Sequence, residues 1–448
     1  MITRRHLLRL LLAAPAAALP LRLSLAYAQD PAWIGRYSPH TFIEWRDDGL
    51  WFVRPPFATR MLPTESADTF SFERGWIAGL LGRFVGNESG GISLLIRNAE
   101  GVWGEFARSG ESYPDLGQES IAQLESALEE TMAAARSPGA WLYLQIPGRG
   151  LWMGARGWAD LANEIPLVPH DRWRIASVTK LFVATVALQL AQEGWLPLDS
   201  VVEQWLPNLL PDGAAINIRH LLQHTSGLPE YMTDRFVRGV RAAPERVWQP
   251  AELVASALQY RRRFAPGAEG RWAYANTNYI LLGMIIEQVT GHTLEQELAA
   301  RIFAPLGLER TQMAPPRAEA VDLARGYVGG EDYSVINMSF AWAAGGIIST
   351  ADMTGRFLAA LVGGQLLRPE TFALMQEFVS AGRNEEYGLG LMRHRLNDQA
   401  VIGHTGGLAG YRTVAWHLPS SGITVVAGCN RYQSDPNRIA AAAIRIVV

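Results

Sequence analysis

The ten residues Leu181 to Leu190 read Leu-Phe-Val-Ala-Thr-Val-Ala-Leu-Gln-Leu and carry apolar side chains around almost the whole circumference of a helix. A helix of that kind cannot rest on a surface, where one face would meet water. It has to run through the middle of a domain with other elements on every side. Gly194 supplies its C-terminal stop, because glycine takes the left-handed conformation that ends helices. The chain has 448 residues, 48% hydrophobic and 19% charged, which is enough to wrap such a helix and leave length over. Two folded units and a leader are therefore expected.

The N-terminus has its own logic. Thr3-Arg4-Arg5-His6-Leu7-Leu8, an Ala/Leu-rich stretch, and Ala26-Tyr27-Ala28 before Gln29 make a charged start, an apolar middle and a small-x-small cleavage signal. Residues 1–28 thus read as an export leader. The paired arginines before Leu7 and Leu8 are similar to the twin-arginine signal that carries proteins out already folded. Arg9 and Arg22 interrupt the apolar run, leaving it short of the ~20 residues a membrane helix needs. No stable membrane span is expected once the leader is removed, and the mature protein is expected in the periplasm or secreted. A formal net charge of −3 offers no basic field of the kind a phosphate backbone requires, so no nucleic acid partner is expected. Cys429 is the one cysteine, which rules out an intramolecular disulfide; its setting in Ile423–Cys429 reads as a buried strand with an inert thiol.

Residues 29–113 alternate in short segments, among them Thr41–Arg46 and Gly49–Arg54 with an Asp48-Gly49 hairpin signal, then Asp68–Phe72, Gly91–Arg97 and Gly101–Arg108. They predict a small all-β unit, ending at the polar connector Gly110–Gly117. From Glu119 to Arg136, Ile121, Leu124, Leu128 and Met132 recur at helical spacing. Two strands follow at Gly139–Ile146 and Leu151–Gly157. Val401–Gly403, Thr413–Leu418 and Ile423–Ala427 give further strands before a terminal helix from Pro436. The expected fold class over 114–448 is α+β: terminal helices packed on one antiparallel sheet, with a mainly helical middle.

Ser177-Val178-Thr179-Lys180 opens the apolar helix. A serine in the first turn sits at the positive end of the helix dipole, and a lysine three positions on shares its face. Desolvation lowers the pKa of a lysine in such a helix toward a value useful for taking a proton. Taken alone, the pair fits a capping serine and a snorkelling lysine better. Two further segments shift that balance: Tyr274-Ala275-Asn276 ahead of the apolar helix Tyr279–Val289, and His404-Thr405-Gly406-Gly407 between two strand-like segments.

In that order, Ser177-x-x-Lys180, Tyr274-x-Asn276 and His404-Thr405-Gly406 resemble the three signature motifs of the serine β-lactamase and penicillin-binding superfamily. Leu221–Leu228, Ala341–Ile347 and Tyr387–Leu391 extend the resemblance over 118–448, and the β-unit resembles the lipocalin-like barrel appended to some members. The resemblance implies a β-lactamase/transpeptidase-like fold and an acyl-enzyme on Ser177, with Lys180 and Tyr274 sharing the proton traffic. Either could be the base, Tyr274 only if positive neighbours stabilise its phenolate. It further implies that Asn276 binds the substrate carbonyl and that the Ser177 and Gly407 backbone N–H groups form the oxyanion hole. His-Thr-Gly is similar to the third motif of D-alanyl-D-alanine carboxypeptidases. Thr405 with a cation, His404 or Arg393, would then bind the substrate carboxylate.

Other signals are weaker. His220-x-x-x-His224 has zinc-site spacing, but Leu221 stands where a metalloprotease glutamate would be, so neither a metal nor any other cofactor is expected. No Gly-x-Ser-x-Gly elbow or phosphate-binding Gly-x-x-x-x-Gly-Lys loop occurs. The expected function is a serine D-Ala-D-Ala carboxypeptidase acting on a small peptide and acylated by β-lactams. A carboxylesterase or β-lactamase of the same fold is the alternative, and a non-catalytic receptor for cell-wall fragments or β-lactams the third reading.

Overall fold

The computed structural model describes 116–169, 171–315, 323–382 and 385–448, together with eight strands between 35 and 107. The leader and most of the connector lie outside the described residues. Two compact units emerge, 1–113 and 114–448. No helix among the described residues is long and apolar enough to cross a membrane.

The first unit is an antiparallel meander in which eight strands pair in simple chain order. The hairpin signal falls where Arg46 pairs with Gly49, so the glycine belongs to the second strand. Gly35–Ser38, Phe57–Pro63 and Leu81–Gly86 are strands the alternation did not reveal.

In the second unit the helix α1 (Gly117–Ala135) leads into β1 (Gly139–Ile146), β2 (Gly150–Asp160) and β3 (Ile165–Pro166). The chain returns much later to the same sheet as β4 (Val379–Gly382), β5 (Glu385–Tyr387), β6 (Met392–Leu396), β7 (Gln399–Leu408), β8 (Tyr411–His417) and β9 (Thr424–Cys429). The order is β3-β2-β1-β9-β8-β7-β6-β5-β4, antiparallel throughout. Between the two halves lie α2 (Thr179–Gln192), α3 (Ile218–Gln223), α4 (Asn276–Thr290) and α5 (Ala351–Val362), and the chain ends in α6 (Asn437–Val447). Helices α1 and α6 pack together against β1, while α5 packs against β1, β8 and β9. Every residue of α2 from Thr179 to Leu190 is buried, as its all-round apolar surface requires. Cys429 is buried in β9, and burial pushes its thiol up to about 12, which makes it inert.

Two features of this scaffold position the site. A small sheet joins Trp173–Arg174, Ile347–Ser349 and Gln312–Met313, and Ile175 N–H donates to the Ile347 carbonyl at 3.1 Å. The wholly buried Arg174 guanidinium donates to the carbonyls of Tyr333 (3.1 Å), Ser334 (2.5 Å) and Ile336 (2.7 Å). The segment just before Ser177 is thereby pinned from two sides. The second feature is the reach of β6, whose last pair with β7 is Met392 with Gly403. Beyond it, His404 to Leu408 pair with β8, and no strand among the described residues pairs with the other edge of that stretch.

Candidate active site

Ser177 lies in a 3-10 turn, Ala176–Val178, that runs straight into α2. Ala176 carries φ +50°, a left-handed conformation that costs an alanine about 1 kcal/mol. The turn lifts Ser177 out of the core: it is partly exposed, while Ala176 and Val178 on either side are buried.

Lys180 is wholly buried beneath it. Its Nζ is 3.1 Å from Ser177 Oγ, 2.8 Å from Asn276 Oδ1 and 2.5 Å from the Ala344 carbonyl oxygen. Burial pulls the Lys180 amine down to about 7, with Glu230 opposing the shift. A neutral amine has two N–H donors and one lone pair. Asn276 Oδ1 and Ala344 O can only accept, so the donors go there and the lone pair faces the Ser177 hydroxyl, the one partner able to donate.

Tyr274 comes from the segment preceding α4. Its ring centre is 4.9 Å from Lys180 Nζ and its side chain hydrogen-bonds Ser177. Burial raises its phenol above the ordinary tyrosine range, so it stands as a proton-bearing phenol rather than a phenolate. Asn276 opens α4 and is held by Glu230, whose Oε2 accepts from Asn276 N (2.7 Å) and Nδ2 (3.0 Å). That fixes the amide with its oxygen toward Lys180.

β7 closes the site. A Cβ on Gly406 would collide with the Ile175 carbonyl oxygen and lie 3.2 Å from Ser177 N, so only glycine lets this strand approach the nucleophile's backbone. Gly407 follows immediately, at the open edge of β7. We expect Gly406→Ala to destabilise the unit by about 1–3 kcal/mol and to slow acylation of Ser177. Thermal melting and penicillin labelling check this. A variant that melts and labels like the parent would mean β7 does not press on the nucleophile turn.

His404 and Arg393 do not supply the free cation expected of them. His404 is buried, its Nδ1 against the Thr405 carbonyl at 2.5 Å and its Nε2 2.9 Å from Tyr387 Oη. Burial, then Lys180, drives its pKa down to about 3, so the imidazole is neutral. Arg393 is tied to Glu386 at 2.5 Å and stacks 4.3 Å from the Phe378 ring centre. Thr405 is partly exposed, with a weak contact to Met392 Sδ at 3.8 Å.

The His220/His224 pair makes no metal site. His220 Nδ1 caps α3 by accepting from Asn217 N at 3.3 Å, and His224 turns the other way beneath Tyr274, ring centres 4.3 Å apart. No group of three metal-ligating side chains occurs among the described residues. His224 Nδ1 faces two donors, Ala275 N at 3.3 Å and Asn278 Nδ2 at 2.9 Å, and burial takes the ring well below its usual pKa. It packs as a neutral ring against the tyrosine. Sequence reasoning missed Glu230, two residues past the Leu221–Leu228 block, and the Ala344 carbonyl, which no residue type announces.

A partly exposed serine, a buried amine of lowered basicity three residues on, and a phenol and an amide from a second helix start make the arrangement of an activated serine nucleophile. Residues 124–448 match the family model described as Beta-lactamase, and the chain belongs to that family. It is similar to the D-aminopeptidase of Brucella anthropi, 31% identical over 66% of this chain and 56% of that protein. Penicillin-binding protein 4* of Bacillus subtilis is 26% identical over 58% of this chain and 60% of its own length. The chain thus spans somewhat more than half of these curated relatives. Among solved structures, a D-stereospecific amidohydrolase from Streptomyces sp. superposes with a TM-score of 0.65 at 34% identity, covering 72% of this chain and 98% of that one.

Proposed function

We propose that the protein is a D-stereospecific peptidase or amidase that cleaves the amide bond following a D-residue through an acyl-enzyme on Ser177. The observation that carries this is the placement of Lys180: its donors are occupied by Asn276 and Ala344, and its remaining valence points at Ser177 Oγ. The similarity to a D-aminopeptidase and a D-stereospecific amidohydrolase supports the D configuration.

In this reading Lys180 takes the serine proton as Oγ attacks the substrate carbonyl. Tyr274, still protonated and hydrogen-bonded to Ser177, hands a proton to the departing amine and is refilled from Lys180. Asn276 Nδ2 lies between Glu230 and the substrate amide. The Ser177 and Gly407 N–H groups stabilise the oxyanion. Water then repeats the sequence in reverse order to free the acid. Export through the 1–28 leader belongs to the same proposal and would bring the enzyme to D-residues of cell-wall peptides.

The test is hydrolysis of D-alanine p-nitroanilide, D-alanine amide and D-Ala-D-Ala beside their L counterparts, with intact-mass detection of the acyl-enzyme. Release from the D series alone, absent in Ser177→Ala, is the expected result. Equal or better turnover of the L series, or of p-nitrophenyl butyrate or nitrocefin with none of the D-amides, would replace this reading with an L-peptidase, an esterase or a β-lactamase.

A further inference from the structure

Helix α4 meets the buried lysine along one face. Tyr279 and Gly283 follow Asn276 by three and seven residues, so the three lie in one row, with about two turns from first to last. Asn276 Oδ1 takes one N–H of Lys180, and the Tyr279 ring centre lies 5.4 Å from Nζ. Gly283 meets the segment that carries the amine's other acceptor. A Cβ there would stand 2.8 Å from Cζ3 and Cη2 of Trp342 and 2.7 Å from the Ala343 Cβ. Gly283 has ordinary right-handed helical backbone, and glycine is the poorest helix former after proline. The close approach of the indole, not the backbone conformation, is what requires glycine in the middle of this buried helix.

Trp342 opens a single helical turn, Trp342–Gly345, whose Ala344 carbonyl receives the second Lys180 N–H at 2.5 Å. Its φ of +29° is a strained value for a bulky L-residue, and such strain persists only where the surroundings hold it. The chain on either side is tied down. Before the turn, Tyr231 Oη donates to the Phe340 carbonyl at 2.6 Å; after it, Ile347 N–H donates to Thr179 Oγ1, in the first turn of α2, at 3.1 Å. Between those anchors, the indole resting on Gly283 sets how far the turn stands from α4.

We propose that Gly283 and Trp342 are positioning residues for Lys180: α4 places both acceptors of the amine, Asn276 directly and the Ala344 carbonyl through the indole seated two turns further on. The two acceptors together decide where the remaining lone pair points, so the seat at Gly283 helps aim the base at Ser177 Oγ. This deepens the proposed function and rests on one part of it, Lys180 as the proton acceptor, and not on the selection of D-residues.

The test is the pH profile of Ser177 acylation by p-nitrophenyl acetate, an ester with no D-centre, corrected for the rate left in Ser177→Ala. In Gly283→Ala the added methyl must push the Trp342–Gly345 turn away from α4. The plateau rate constant should fall at least about tenfold, since a misplacement of ~1 Å in a catalytic group costs up to about a hundredfold. The midpoint should drop below that of the wild type, because an ammonium deprived of the Ala344 carbonyl is harder to keep charged. Adding Trp342→Phe takes the two ring carbons out of the path of the methyl and should recover part of both losses. A Gly283→Ala protein that melts lower yet keeps the wild-type plateau and midpoint would make the contact purely structural and overturn the proposal, as would a raised midpoint. If Gly283→Ala does not fold, Trp342→Leu, which withdraws the indole without adding bulk, is read in the same way. Should the ester acylate Ser177 while no D-amide is cleaved, the D-selective reading fails and the test of Gly283 stands. Should neither the ester nor benzylpenicillin acylate the wild type, the activated serine itself is refuted and this inference falls with it.

Discussion

Lys180→Met should lower kcat/KM by about a thousandfold while the protein still folds. Methionine occupies nearly the same volume in α2 but offers no nitrogen, so Ser177 loses its proton acceptor. Asn276 Oδ1 and the Ala344 carbonyl lose their donor at the same time. Two orphaned acceptors cost about 1–3 kcal/mol each, offset in part because a desolvated amine is gone as well. The decisive measurement is the rate of acylation by a penicillin, read by intact mass, on protein whose circular dichroism matches the parent. Acylation within tenfold of wild type would show that the serine proton goes elsewhere, with Tyr274 as the acceptor.

The second large effect is on pH. Only neutral Lys180 can accept a proton, and burial holds its pKa at about 7. The rate constant for acylation should therefore rise about tenfold per unit up to that point and level off above it. At pH 5 it should be about a hundredfold below the plateau. His404, down at about 3, and Tyr274, above the usual phenol range, both titrate well away from that midpoint. A midpoint near 10, or a fall above pH 8, would contradict a depressed lysine. Stability carries the same signature with a definite sign. Between about 7 and the ordinary lysine value of 10.5, the unfolded chain holds one more proton at this position than the folded chain. The Lys180 contribution to unfolding free energy thus rises by about 1.4 kcal/mol per pH unit across that window, and its full penalty is present below it. Denaturant midpoints of wild type and Lys180→Met, followed from pH 6 to 10, should change relative to one another in that direction.

Much of this was legible because periodicity and burial speak the same language. The all-round apolar run dictated α2, and Gly139–Ile146, expected as a strand, has the same ends as β1. The nucleophile, lysine, tyrosine and asparagine are side chains at motif spacings, and the fold brings them together. What stayed hidden was of another kind. Whether His404 is charged depends on burial and on Tyr387, seventeen positions away, neither of which a motif encodes. The Ala344 carbonyl is backbone and has no letter of its own. Arg393 attracted notice by proximity in sequence, but an arginine on a strand finds whatever carboxylate its neighbour presents, and here that is Glu386.

Lys180 meets its two fixed acceptors at separations of 96 and 164 positions along the chain. Until those remote stretches have docked, the amine is an ordinary solvated lysine with its proton on, and the serine beside it is as unreactive as any other hydroxyl. A half-made or half-unfolded molecule in which either stretch is undocked consequently lacks the activated serine; nucleophilicity is a property that arrives when both settle on α2 and leaves when either is lost.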